Sequence, residues 1–203
     1  MSAAPLVFIA VHPTRTCWPS FPWEVGMTKL GTGLDAEWAR ESFRVEVSTT
    51  MECDAEQLDT SGFYSRHPFG NFLAGKTATP SPALTPHYCS RQVAARRIAR
   101  FVHDCDVVAY DAVATAASLD LFMRSQGIAP HWTGDFTDVS TLVRSSVRLA
   151  KTMPMWPPMN TDALTHALWV REVFMQAQEF AHDAAVAHTY LVEQAIDPGT
   201  HET

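Results

Sequence analysis

Three short segments suited to β-strands come before the first long helical pattern, and that order restricts the folds open to this chain. Leu6 to Val11 is an apolar run bounded by Pro5 and Pro13 and reads as a buried strand. Trp23 to Leu30 (WEVGMTKL) reads as a second strand, and Ser42 to Val47 (SFRVEV) alternates apolar and polar residues as a half-buried third. Gly31 to Asp35 (GTGLD) supplies the turn between the second and third. Consecutive strands of this kind predict an antiparallel meander at the start of the fold.

The pattern then changes. Cys53 to Leu58 reads as a short helix with Asp54 near its start, and the aromatic GFYSRHPFGNF that follows reads as packing. GKTATPSPALTP reads as an exposed loop. Ser90 opens a helix to about His103, Asp106 to Tyr110 is a buried strand, and Ala112 to Gln126 is a helix stopped by Gly127 and Pro130. Trp132 to Val139 predicts a strand and Ser140 to Lys151 a helix. After the Pro-rich MPMWPPMN, Thr161 or Asp162 caps a short helix to Trp169, and a long helix runs from about Gln176 to Ile196. Strands alternating with helices after a meander predict an α/β fold, a mixed sheet with flanking helices. The 203 residues suffice for one domain, with a flexible loop at about 75–88 and a tail at 197–203.

Charge narrows the function classes. A net charge of −7 argues against tight nonspecific binding to nucleic acid, because phosphate contacts supply most of that affinity. The segment RQVAARRIAR is locally basic, and Arg96, Arg97 and Arg100 are either substrate contacts or a solvated helix face. No apolar run approaches the roughly 20 residues that span a bilayer, and the N-terminal segment lacks a basic n-region, so a cytoplasmic location without membrane contact is expected. The four cysteines form no CxxC pair and are expected to be reduced thiols. His87-Tyr-Cys89 and His103-Asp-Cys105 differ from the paired ligands of structural zinc sites.

Five stretches carry a family likeness: FIAVHPT, WEVGMTKL, DVVAYDAVATAASLDLFM, DFTDVSTLVR and AHDAAVAHTYL. Together they resemble the DEDDh 3′–5′ exonucleases of the ribonuclease H-like superfamily, over nearly the whole chain. The resemblance implies a ribonuclease H-like mixed sheet. It also implies four carboxylates at the sheet end holding two divalent cations, usually Mg²⁺, which clamp the attacking water and the leaving oxygen. A hard ion of this kind requires oxygen ligands, and a histidine deprotonates the water. The family's last motif is a His followed five residues later by an Asp on one helix.

Laid onto this chain, the resemblance puts Ala10 and His12 where the first strand should carry Asp-x-Glu, Thr115 at the third acid and Ala187 at the fourth. His182 matches the base. The implied function is that of a degenerate exonuclease-like protein, without metal-dependent nuclease activity and without a resident cofactor. Its expected partner is a single-stranded nucleic-acid end or a protein. Two alternatives stay open. One is an active exonuclease with a displaced Mg²⁺ or Mn²⁺ site built from His12, Asp111, His182 and Asp183, the last a helical turn before Ala187. The other is a structural or interaction protein reusing the fold.

Overall fold

The computed structural model describes residues 4–16, 20–30, 38–47, 53–77, 87–145 and 147–196, with side chains for all of these except 30, 147–149 and 184–196. The turn expected at Gly31 to Asp35, most of the 75–88 loop and the 197–203 tail lie outside the described residues. The expected meander is present: β1 (Leu6–Pro13), β2 (Pro22–Leu30) and β3 (Trp38–Val45) pair antiparallel in sequence order. A two-residue β4 (Tyr88–Cys89) adds parallel to β3. On the other side β5 (Asp106–Ala109) pairs parallel with β1, and β6 (Thr137–Asp138) pairs parallel with β5. The sheet order is β4-β3-β2-β1-β5-β6, so β1 and β2 occupy its centre.

Eight helices surround this sheet among the described residues. α1 (Ala55–Thr60), α2 (Phe63–Arg66) and α3 (Pro68–Leu73) follow the meander. α4 (Arg91–Val102) is capped by Ser90, and α5 (Ala112–Ser125) is capped by Asp111. α6 (Val139–Ser145) and α7 (Val147–Thr152) precede α8 (Ala163–Ile196). Two expectations are corrected here. The strand foreseen at Trp132 to Val139 shrinks to Thr137–Asp138, because an edge strand needs a partner and only Val108 and Ala109 of β5 pair with it. The two C-terminal helices are one helix of 34 residues, since no Pro or Gly interrupts the chain between Ala163 and Ile196.

Strand alternation decides what each face of β1 meets. Val7 and Ile9 pack among Ile98, Leu119 and Phe122 from α4 and α5. Phe8 points the other way, into Trp169, Val170, Val173 and Phe174 of α8. Ala10 and His12 share the parity of Phe8 and therefore face the start of α8. Across the strand pair Ala10 lies opposite Gly26, and His12 lies opposite Glu24. Gly26 lets α8 seat directly on the sheet: a Cβ there would run into the backbone of Ala163 and Leu164.

Candidate functional site

Where β1 ends, a buried polar cluster joins the sheet to the first turn of α8. His12 Nε2 lies 2.9 Å from His166 Nδ1, and His12 Nδ1 lies 3.0 Å from Glu24 Oε2. Arg66, at the end of α2, donates to Glu24 Oε2 at 2.7 Å and brings Nη2 to 3.2 Å from His12 Nδ1. Arg44 Nε is 3.5 Å from the other oxygen of the same carboxylate. The backbone N–H of Ala163 donates to Glu24 Oε2 at 3.1 Å. Glu24 thus satisfies an otherwise orphaned N–H of the α8 N-terminus, where negative charge is favourable. Glu24, His12 and His166 are each almost completely buried.

The protons in this chain of contacts follow from the partners. Pro158 O can only accept, and it lies 3.2 Å from His166 Nε2. The Thr161 hydroxyl, 3.0 Å from the same nitrogen, donates its own proton to Pro158 O at 2.8 Å. His166 Nε2 therefore carries the ring hydrogen, Nδ1 accepts, and His12 Nε2 donates to it. Burial first, and the adjacent His12 second, hold His166 below the ordinary imidazole range, which favours this neutral ring. His12 Nδ1 then accepts from Arg66 in a neutral ring or donates to Glu24 in a cationic one. Neither imidazole has a nitrogen left over for a ligand.

In front of the cluster lies a cavity of ≈ 720 Å³. The end of β1, the first turns of α5, and His166 and Val170 of α8 enclose it, and Trp156 forms one wall. Trp156 stacks on His166 with ring centroids 5.0 Å apart and also meets Tyr110 at 4.6 Å and Trp169 at 4.5 Å. Its indole N–H donates to Met159 Sδ at 3.4 Å. Among the lining residues Asp111 is the one carboxylate, and its side chain accepts from Ala114 N at 3.1 Å as the cap of α5. Thr115 is 8% exposed, lines the cavity, and has no hydroxyl partner among the described residues.

The residues singled out by sequence are only partly gathered here. Ala10, His12, Thr115 and Asp111 all line the cavity. His182 and Asp183 do not: both are exposed on α8. His182 lies sixteen residues beyond His166, which is about 24 Å along a helix at its usual rise. The four-residue set His12, Asp111, His182 and Asp183 is therefore divided between two places. Ala187 lies a further five residues along α8, and its side chain is outside those described. The residue that α8 delivers to Ala10, His12 and Thr115 is His166.

The arginines of α4 sit elsewhere. Arg97 Nε pairs with Glu41 Oε2 at 3.0 Å and lies over the Phe43 ring, and Arg100 Nη2 is 3.6 Å from Glu41 Oε1. Arg96 is exposed, and none of Arg96, Arg97 and Arg100 lines the cavity. As members of this site, Glu24, Arg66, Thr161 and His166 escaped the sequence reading, which had Thr161 only as a candidate helix cap. One signal for the last two was present: they stand five residues apart beside the Asp162 cap, the interval expected for the last motif. Asp162 does cap α8, accepting from Thr165 N at 3.0 Å.

No protein-family model matches the chain, and no curated protein matches it by sequence. Its shape does have counterparts. Escherichia coli exonuclease I in complex with a dT13 oligonucleotide superposes with a TM-score of 0.58 at 13% identity, over 91% of this chain and 44% of that one. A product-bound exonuclease I gives 0.58 at 13% identity, over 92% and 47%. A moderately thermophilic exonuclease I from Methylocaldum szegediense gives 0.53 at 12% identity, over 76% and 32%. The chain spans less than half the length of these structures. At such identity the likeness shows the fold, a ribonuclease H-like α/β sheet with flanking helices. Among the described residues no helix is long and apolar enough to cross a membrane.

Proposed function

We propose that this chain is a degenerate exonuclease-like domain that binds a single-stranded nucleic-acid end and does not hydrolyse it with metal ions. The observation carrying this reading is the company His12 keeps: Ala10, Thr115 and His166 join it at one cavity on the sheet end. In this reading His166 takes the place first given to Ala187, Thr161 takes that of the base, and His182 is a surface residue. The donor set fits two divalent cations poorly. Mg²⁺ and Mn²⁺ want several oxygen ligands whose negative charge offsets their own. The positions read as those of the acids offer a methyl group (Ala10), one hydroxyl (Thr115) and two imidazoles (His12 and His166) that bond each other, and the one carboxylate in the cavity lining, Asp111, caps α5. Among the described residues no group of three or more His, Cys, Asp or Glu side chains is placed to hold a metal ion. Glu24, the nearest buried carboxylate, is already held by Arg66, by the α8 N-terminus and by His12.

Strand binding is supported by a neighbour of the same fold that is seen with an oligonucleotide. Incubating the purified chain with 3′-ended single strands and Mg²⁺ or Mn²⁺ should leave the strands full length. A labelled oligonucleotide should bind with an affinity that falls as salt rises. Metal-dependent shortening of the strand would overturn the non-hydrolytic reading, and an absence of binding at low salt would overturn the end-binding one.

A further inference from the structure

The corner between α4 and β5 carries two exposed histidines that take no part in the sheet-end cavity. His103 is the C-cap of α4, and His131 stands in the segment between α5 and β6. The N–H of Asp104 donates to His131 O at 3.2 Å, and the N–H of Thr133 donates to Cys105 O at 2.9 Å, so two backbone bonds tie the segments together. Beside this tie the two imidazoles lie with ring centroids 6.0 Å apart and planes inclined at 37°. Asp104 has a φ of 53°, in the left-handed region that Asp adopts more readily than most residues. Its carboxylate reaches to 3.0 Å from His103 Nδ1. With Nδ1–H donating to that carboxylate, His103 Nε2 keeps its lone pair for a ligand. Cys105 is not available to such a ligand: it is buried, and its thiol donates to His103 O at 3.2 Å.

We propose that His103 and His131 together bind one divalent transition-metal ion of the zinc and copper class, with water completing its shell. Imidazole nitrogen suits Zn²⁺, Ni²⁺ and Cu²⁺, whereas Mg²⁺ and Ca²⁺ want oxygen. A nitrogen–metal bond of about 2.0–2.1 Å puts the ion about 3.2 Å from each ring centroid. A tetrahedral angle at the ion then sets the centroids about 5 Å apart. Exposed side chains close the remaining distance by ordinary rotamer motion. A carboxylate on the far ring nitrogen is the usual partner of a metal-binding histidine, where it fixes the tautomer and raises the basicity of the ring. Asp104 stands in that position to His103. Two imidazoles make an open site, unlike the closed four-ligand site of a structural zinc. The bound ion clips the start of β5 to the segment that leads into β6.

Calorimetric titration of the untagged full chain with Zn²⁺, Cu²⁺ and Mg²⁺ tests the site. One Zn²⁺ per chain should bind, Cu²⁺ should bind more tightly, and Mg²⁺ should not bind here. Mn²⁺ stands at the weak end of the same order, which separates this corner from the sheet end. His103→Ala and His131→Ala should each weaken Zn²⁺ by at least about tenfold, and Asp104→Asn, which keeps both ligands, by about tenfold. All three side chains are exposed, so the variants should unfold as cooperatively as the unmodified chain. His182→Ala, at an exposed position on α8, should leave Zn²⁺ affinity unchanged. Added Zn²⁺ should raise the thermal midpoint of the unmodified chain and not that of the variant lacking both histidines. A folded chain that takes up no Zn²⁺ would overturn the proposal. So would Zn²⁺ affinity that survives the loss of either His103 or His131, or that falls with His182→Ala.

Discussion

Two glutamates on the same sheet, each gripped by two arginines, show how burial changes what one kind of contact does. Glu24 on β2 is 1% exposed and meets Arg66 and Arg44 together with His12 and the α8 N-terminus. Glu41 on β3 is 20% exposed and meets Arg97 and Arg100, the latter 80% exposed. Around Glu41 water can replace any lost partner. Around Glu24 it cannot, so that carboxylate fixes where α8 begins and which way His12 points. The first contact positions a site, and the second solvates a helix.

The comparison breaks most visibly at Glu24. Replacing it with Gln leaves Arg66 and Arg44 without their counter-charge in a buried setting, and should destabilise the protein by about 3–5 kcal/mol. Urea unfolding measures this, and a loss below about 1 kcal/mol, the usual worth of a surface pair, would show that the cluster is solvated after all.

Next in size is a pH effect beside the same carboxylate. His67 is fully buried, donates from Nε2 to Val45 O at 3.0 Å, and accepts from Phe69 N at 3.2 Å. Burial, more than any other influence, lowers its pKa to about 4. The Val45 bond opposes that shift, Arg44 adds to it, and Glu24 works against it. The unfolded chain therefore takes up a proton at higher pH than the folded one. Stability should be fully present above about pH 6.5 and decline by about 3 kcal/mol as pH falls to about 4. His166, also held low, tilts the curve the same way. Unfolding followed at several pH values in His67→Gln should show a flatter acid limb than in the unmodified chain.

Gly26→Ala should cost about 1–3 kcal/mol, because the added methyl meets the backbone of α8 rather than a side chain that can move aside. If the substitution is neutral, α8 does not sit where the Glu24 cluster requires. The smallest effect belongs to Glu41→Gln: about 0.2–1 kcal/mol, shrinking as salt is added. A salt-independent loss there would erase the distinction between the two glutamates.

The same contrast explains how much could be read from the chain alone. Strand alternation is a local signal, so β1 to β3, the capping of α4 by Ser90 and the positions of Ala10, His12 and Thr115 were legible. The Glu24 cluster is not local. His12 meets Glu24 through strand register, Arg66 through a short helix inside a stretch that read as aromatic packing, and His166 through the seating of α8 on Gly26. A 34-residue helix carries several histidines, and sequence spacing does not say which turn reaches the sheet. His182 stood out because the motif's letter was intact, whereas the turn that arrives at the cavity carries Thr161 and His166. The two-residue β4 was too short to leave a pattern.

At the sheet-end cavity a bonded imidazole pair stands where cation ligands are expected. Calorimetric titration of Mn²⁺ into the unmodified chain and into a variant carrying Ala10→Asp, Thr115→Asp and His166→Asp tests this directly. The prediction is no binding by the unmodified chain and measurable binding once carboxylates return at those three positions. Binding of Mn²⁺ by the unmodified chain that His12→Ala abolishes would contradict it.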